Sequence, residues 1–256
     1  MILLQYLKYF RIPENWLQEG ISHDPELTSI IQPLSNVIIH HNTAELRSLG
    51  FKCYQLLATR FDIETRFDWY RFLFNTLNHS GLLGWTVTHF KDTLRKVYMD
   101  KNASYPSYSE NRLTQIFTKL FKLKHGAQTD LLEISDEIIA EVNLAYFIIG
   151  QKSTMYGVDI REWVQNIEEG LKLTKAHWEL ELQNTKSNKK SDSAVKSNEP
   201  ELSVTVGTQS LPTMEPKQKI ENINLALTTL DVIQFNIVPL VNKLEQTSKQ
   251  GNLNYQ

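Results

Sequence analysis

The side chains best suited to chemistry in this chain are histidines and acids, and His177 has the most promising neighbours. It stands in LTKAHWELELQN (residues 173–184), with Glu179 and Glu181 close by. On a helix, side chains meet at steps of three or four, so Glu181 is within reach and Glu179 is not. That pairing reads as a surface ion pair rather than a proton-transfer device. His40 and His41 are adjacent and diverge on a helix, which makes them a poor metal pair. Cys53 is the single cysteine, so neither an internal disulfide nor CxxC zinc ligation can form. The chain has no P-loop, no GxSxG elbow and no HExxH pair. Acidic residues are numerous, but none sits where a buried carboxylate pair is implied. The expectation is a protein that is not an enzyme and uses no cofactor and no metal.

Basic residues are more suggestive. Between residues 82 and 99, Gly84, Thr88, Lys91 and Arg95 fall on one stripe of a helix, beside its apolar seam. Gly84 would leave the start of the stripe open to close approach. Lys119, Lys122 and Lys124 follow on the next element. Such a stripe is either a solvated face or a docking surface for a protein of complementary charge.

The elements that would position these residues are helical almost throughout. Ile63, Phe67, Tyr70, Phe74 and Leu77 recur at alternating steps of four and three. Leu83, Val87, Phe90, Leu94 and Val97 repeat the rhythm, as do Ile160, Val164, Ile167, Leu171, Thr174 and Trp178. Each series lies on one helical face. The chain has 256 residues, 41% hydrophobic and 22% charged, with a net charge of -2. That supports a continuous core and gives no long-range field for nucleic acid or an anionic membrane. Uninterrupted apolar runs fall short of a membrane span, and the opening MILLQYLKYF is broken by Gln5 and Lys8 and reads as a packed helix.

Start and stop signals divide this helical pattern into about nine helices. Asp24 before Pro25, and the spacings Asn42/Glu45, Ser107/Glu110 and Asp159/Glu162, predict N-termini. In KHGAQTDLLE (124–133), Gly126 offers a left-handed stop and Thr129 or Asp130 a cap, with Glu133 reaching back. Pro33 and Pro239 should kink or split their helices. Short connections predict antiparallel neighbours, and the expected fold is all-α, an α-solenoid of HEAT-like antiparallel helix pairs, with a compact bundle as the alternative. Residues 1–184 read as the repeats. Residues 185–201, TKSNKKSDSAVKSNEPE, read as a disordered polar loop, and 202–249 as an extended segment, β-like at LSVTVG, followed by a last helix.

Four separated strings resemble the glomulin family: LNHSGLLGWTVTHFK (77–91), GAQTDLLEISDEIIAEVNLAYF (126–147), LTKAHWELELQN (173–184) and LSVTVGTQSLPTMEPKQK (202–219). The resemblance spans roughly residues 60–245 and corresponds to the C-terminal half of longer family members. It implies HEAT-like repeats that bind the RING domain of the Rbx-type subunit of cullin–RING ubiquitin ligases, together with its cullin, and block recruitment of the ubiquitin-conjugating enzyme. It also implies a cytoplasmic protein, with the nucleus as a second location. A lysine the family sets against the RING subunit falls on Lys91. A second basic contact falls on Pro239, where Lys243, one turn onward, is the substitute. Arg95 joins Lys91 by helical geometry. The alternative is a general helical-repeat scaffold that does not inhibit a ligase.

Overall fold

A computed structural model describes residues 25–151, 158, 160–192, 205–206, 209–210 and 215–253. Among these the fold is all-α apart from one two-residue antiparallel pairing. The helices are α1 Pro25–His40, α2 Ala44–Arg60, α3 Ile63–Thr76, α4 Ser80–Met99, α5 Glu110–Leu120, α6 Ser135–Gly150, α7 Ile160–Asp192 and α8 Pro216–Leu253. Short 3₁₀ turns lie at Pro106–Tyr108 and Gly126–Gln128. Thr205–Val206 (β1) pairs with Gln209–Ser210 (β2), Thr205 opposite Ser210.

Several helix ends differ from expectation. Thr43, not Asn42, is the N-cap of α2, and it has no side-chain cap bond. Its amide donates instead to His41 Nδ1 at 3.0 Å. Ser109 is the N-cap of α5. Ser107 is buried and serves elsewhere, its amide donating to Glu64 Oε2 at 2.9 Å. The unforeseen caps are Asp62, whose Oδ1 accepts from Thr65 N, and His79, whose Nδ1 accepts from Leu82 N. Asp24 and Asp159 lie outside the described residues.

Neither proline splits its helix. α1 continues through Pro33 and α8 through Pro239. Buried residues on both sides of each (Ile31 and Leu34, Ile237 and Leu240) anchor the flanking turns and offset the lost backbone bond. The segment expected as a loop from 185 starts as helix, because α7 runs to Asp192. Thr185 is buried and bonds back to the Glu181 carbonyl. Residues 193–201 of that segment lie outside the described residues.

The chain forms two compact units, Met1–Phe121 with Asn143–Val158, and Lys122–Val142 with Asp159–Gln256. The core of the first unit joins α3 to α4. Phe67, Tyr70, Leu73 and Phe74 meet Val87, Phe90 and Leu94, all of them buried. Tyr70 and Phe74 meet Phe90 edge-on, with centroids 5.0 and 5.6 Å apart. Buried Arg66 reaches back to the end of α2, donating to the carbonyls of Phe61 at 2.6 Å and Thr59 at 3.5 Å. A cation on the last carbonyls of a helix is favoured by the helix dipole.

In the second unit, α7 and α8 run antiparallel. Lys175 pairs with Asp231 and Lys219 with Glu181, so the contacts descend one helix as they climb the other. The α8 face turned inward carries Ile223, Leu230, Ile233, Ile237, Leu240 and Leu244, a repeat of sevens and near-sevens. By length and composition, Pro216–Thr247 would also cross a membrane. Only 28% of its apolar window is buried, so most of that apolarity lies outside the packed face.

The loop before α6 docks onto α7. Gly126 adopts φ +54, the left-handed region foreseen for it, but it opens the 3₁₀ turn rather than ending α5, which stops at Leu120. Asp130 Oδ1 accepts from the amides of Leu132 and Glu133. Thr129 closes the turn instead, its Oγ1 donating to Gly126 O and accepting from His125 N. Gly170 of α7 sits beneath this turn, where an added Cβ would lie 2.9 Å from the Ala127 carbonyl oxygen.

Gly170→Ala therefore costs the second unit about 1–3 kcal/mol, because backbone rather than a flexible side chain must move. Gly126→Ala costs about 1–2 kcal/mol through its left-handed φ. Chemical denaturation of both variants against the parent checks the pair.

Candidate interaction surface

Helix α4 positions two of the three predicted contact residues. Its buried seam of Leu83, Val87, Phe90 and Leu94 fixes its rotation. Lys91 then emerges half-buried and Arg95, one turn on, is exposed. Neither makes an ion pair among the described residues. A lysine at such a boundary lays its methylenes on apolar neighbours and leaves its ammonium in water. Gly84, expected as an open start to the stripe, is buried, and Thr88 Oγ1 bonds to the Gly84 carbonyl at 2.9 Å. The basic stripe is thus confined to the second half of α4. Lys119 is exposed and engages Asn75 Oδ1 at 2.6 Å, and burial of its ammonium pushes its pKa down. Lys122 and Lys124 are exposed and belong to the second unit.

Lys243, the third predicted residue, is on α8 in the second unit. It is half-buried, and burial lowers its pKa. Pro239, one turn before it, is exposed.

α4 also carries a polar network. Tyr70 Oη lies 2.8 Å from His89 Nδ1 and 2.6 Å from Thr93 Oγ1. The His89 ring stacks on Trp85 with centroids 4.9 Å apart, and Tyr54 Oη meets Thr86 Oγ1 at 3.2 Å. Burial chiefly, then the Arg66 charge, pushes the His89 pKa down from 6.5 to about 4, with Asp92 opposing and Lys96 adding to the shift. At neutral pH the ring is uncharged and holds α3 to α4.

The groups considered for catalysis are placed differently. His177 is exposed and lies edge-on to Trp178. Its expected partner Glu181 forms its ion pair with Lys219, a contact between helices that sequence spacing does not reveal, and interacts more weakly with the His177 charge. Among the described residues no group of three or more His, Cys, Asp or Glu could hold a metal. A cleft of about 370 Å³ lies where the first turns of α7 meet the end of α8. It is lined by Arg161, Val164, Glu168, Val241, Leu244 and Glu245, and His177 is not in its wall. The sequence reading missed it, since two helices far apart in the chain build it.

A profile described as an uncharacterised protein family, YAP/Alf4/glomulin, matches residues 14–233. The chain belongs to the YAP/Alf4/glomulin family. Glomulin of Mus musculus is 28% identical over 213 residues, which is 80% of this chain and 35% of that protein. Glomulin of Homo sapiens is 26% identical over 233 residues, 88% of this chain and 38% of that protein. The match thus spans little more than a third of the length of these curated relatives. Lys91 and Arg95 fall inside the region matched by the YAP/Alf4/glomulin profile, and Lys243 lies beyond its end.

His89 predicts the acid response of the first unit. Its folded pKa lies below its unfolded value, so the unfolded chain binds more protons between pH 6.5 and about 4. Stability is full above that window and falls as pH drops through it. In His89→Gln the slope flattens over the same window, read by denaturation at a series of pH values.

Proposed function

We propose that this chain is a non-enzymatic regulator of cullin–RING ubiquitin ligases. It binds the RING domain of the Rbx-type subunit, held with its cullin, and keeps the ubiquitin-conjugating enzyme from docking. Membership of the YAP/Alf4/glomulin family supports the reading. The observation that carries it is the cationic end of α4, where half-buried Lys91 and exposed Arg95 stand without ion-pair partners among the described residues, beside a buried apolar seam. We further propose that the antiparallel helix pairs stack as a HEAT-like solenoid, whose stiffness allows one face to cover a shallow groove on the partner. Lys243 adds a second cation, and the site of action is the cytoplasm, with the nucleus as a second location.

The mechanism is occupancy. Cations at the edge of an interface raise the association rate and set register, while apolar contacts at its centre supply most of the affinity. No bond is made or broken by the regulator. A second reading, a helical scaffold for another protein, is favoured by Pro239, which stands where the second basic contact would fall.

The test is affinity for a purified Rbx–cullin complex, together with ubiquitin transfer in vitro. Lys91→Ala weakens binding about threefold and Lys91→Glu about tenfold or more, because reversal adds repulsion to the lost attraction. Equal affinity for all three proteins removes Lys91 from the interface. Undiminished ubiquitin transfer at saturating protein favours the scaffold.

A further inference from the structure

Helix α8 has a second apolar face, pointing away from α7. Leu225 is 67% exposed and Phe235 79%, and Val232 is also exposed. Thr228 and Pro239 are exposed along the same line. These positions recur at steps of three, four and seven and fall within about 120° of the helix circumference. Between Glu221 and Lys243 the sequence carries a single charge, Asp231, which is bonded to Lys175. The polar groups on or beside the stripe turn back onto their own helix. Thr228 Oγ1 donates to the Asn224 carbonyl, Thr229 Oγ1 to that of Leu225, and Asn236 Nδ2 to that of Val232. One donor of each is thus engaged, so the stripe presents mostly methyl, methylene and ring surface to water.

The ends of the stripe are charged and opposite in sign. Glu221 and Lys243 share its angular sector and are equidistant from Val232 in the chain. Leu225 and Pro239 are likewise equidistant from Val232, and so are Thr228 and Asn236. A face with this symmetry is complementary to itself when one copy is turned end for end.

We propose that α8 pairs antiparallel with α8 of a second copy of this chain, on a two-fold axis through Val232. Val232 meets its own equivalent, and Leu225 packs on Pro239 of the second copy. Phe235 covers Thr229, and Glu221 meets Lys243 at both ends. Such an interface is isologous and closed, so it yields a dimer and not a fibre. The apolar centre supplies the affinity and the end charges fix the register. Pairing covers the face that holds Lys243, so the dimer and any partner that uses Lys243 exclude each other. The inference rests on the outward face of α8 and holds whether or not the ligase reading does.

Sedimentation equilibrium of the full chain tests it at concentrations up to about 100 µM. The parent forms a dimer. Phe235→Glu, at a side chain the monomer leaves in water, weakens association at least about thirtyfold without loss of helix content by circular dichroism. Glu221→Lys and Lys243→Glu each weaken the dimer, and the double variant recovers it because both ion pairs are rebuilt with reversed sign. A parent that stays monomeric throughout, or a dimer indifferent to Phe235→Glu, overturns the proposal. A double variant no stronger than the singles rejects the antiparallel register. A monomer that co-sediments with phosphatidylcholine vesicles through Phe235 overturns it in favour of a lipid contact.

Discussion

A backbone carbonyl lying against a glycine holds the second unit in register. The Ala127 oxygen comes so near α7 that Gly170 has no room for a Cβ, and the left-handed Gly126 lies beside Asn166 of the same helix. The short loop before α6 is thereby fixed to the first half of α7. Whatever sets the rotation of α7 also sets which α7 residues face α8. On α8 the buried repeat from Ile223 to Leu244 and the outward stripe through Phe235 are the two sides of one helix orientation. The end of the α7–α8 seam that Lys175 and Glu181 bridge is clasped by charge. The other end opens as the cleft.

The first unit solves its positioning problem with aromatic rings and hydrogen bonds rather than glycine. Trp69, Tyr54, Tyr70, Phe67 and Phe90 are wholly buried, and their hydroxyls are satisfied by Thr86, Thr93 and His89 on α4. Burial raises the Tyr54 and Tyr70 pKa values well above the ordinary phenol, which keeps both neutral and able to donate. A polar network of this kind tolerates only one relative rotation of α3 and α4. Lys91 and Arg95 owe their outward direction to that constraint.

Three surface features stand out among the described residues. The cationic end of α4, the cleft and the uncharged face of α8 each rest on a seam of buried side chains close beside them. The YAP/Alf4/glomulin match covers the first of these in full, whereas it stops at residue 233, within the third. Cleft residues Val241, Leu244 and Glu245 also lie beyond it.

The apolar periodicity by itself determined the helices and their inward faces. Phe67, Tyr70 and Phe74, or Ile160, Val164, Ile167 and Leu171, are buried where a 3.6-residue repeat places them. It also determined that Lys91 and Arg95 share a face, since that needs only spacing within one helix. The caps were less legible: Thr43 and Ser109 stand where spacing pointed to Asn42 and Ser107, and Asp62 and His79 cap helices without a foreseen start, because several polar residues compete at each turn and local backbone geometry selects one. Pro33 and Pro239 do not split their helices for a related reason, as neighbouring packing outweighs one missing backbone bond. Only the tertiary structure decided that Glu181 forms its ion pair with Lys219, that Gly170 lies under Ala127, and that Phe235 is left in water. Each depends on helices or loops distant in the chain being brought side by side. Spacing along a single helix carries no information about which neighbour arrives, or at what rotation.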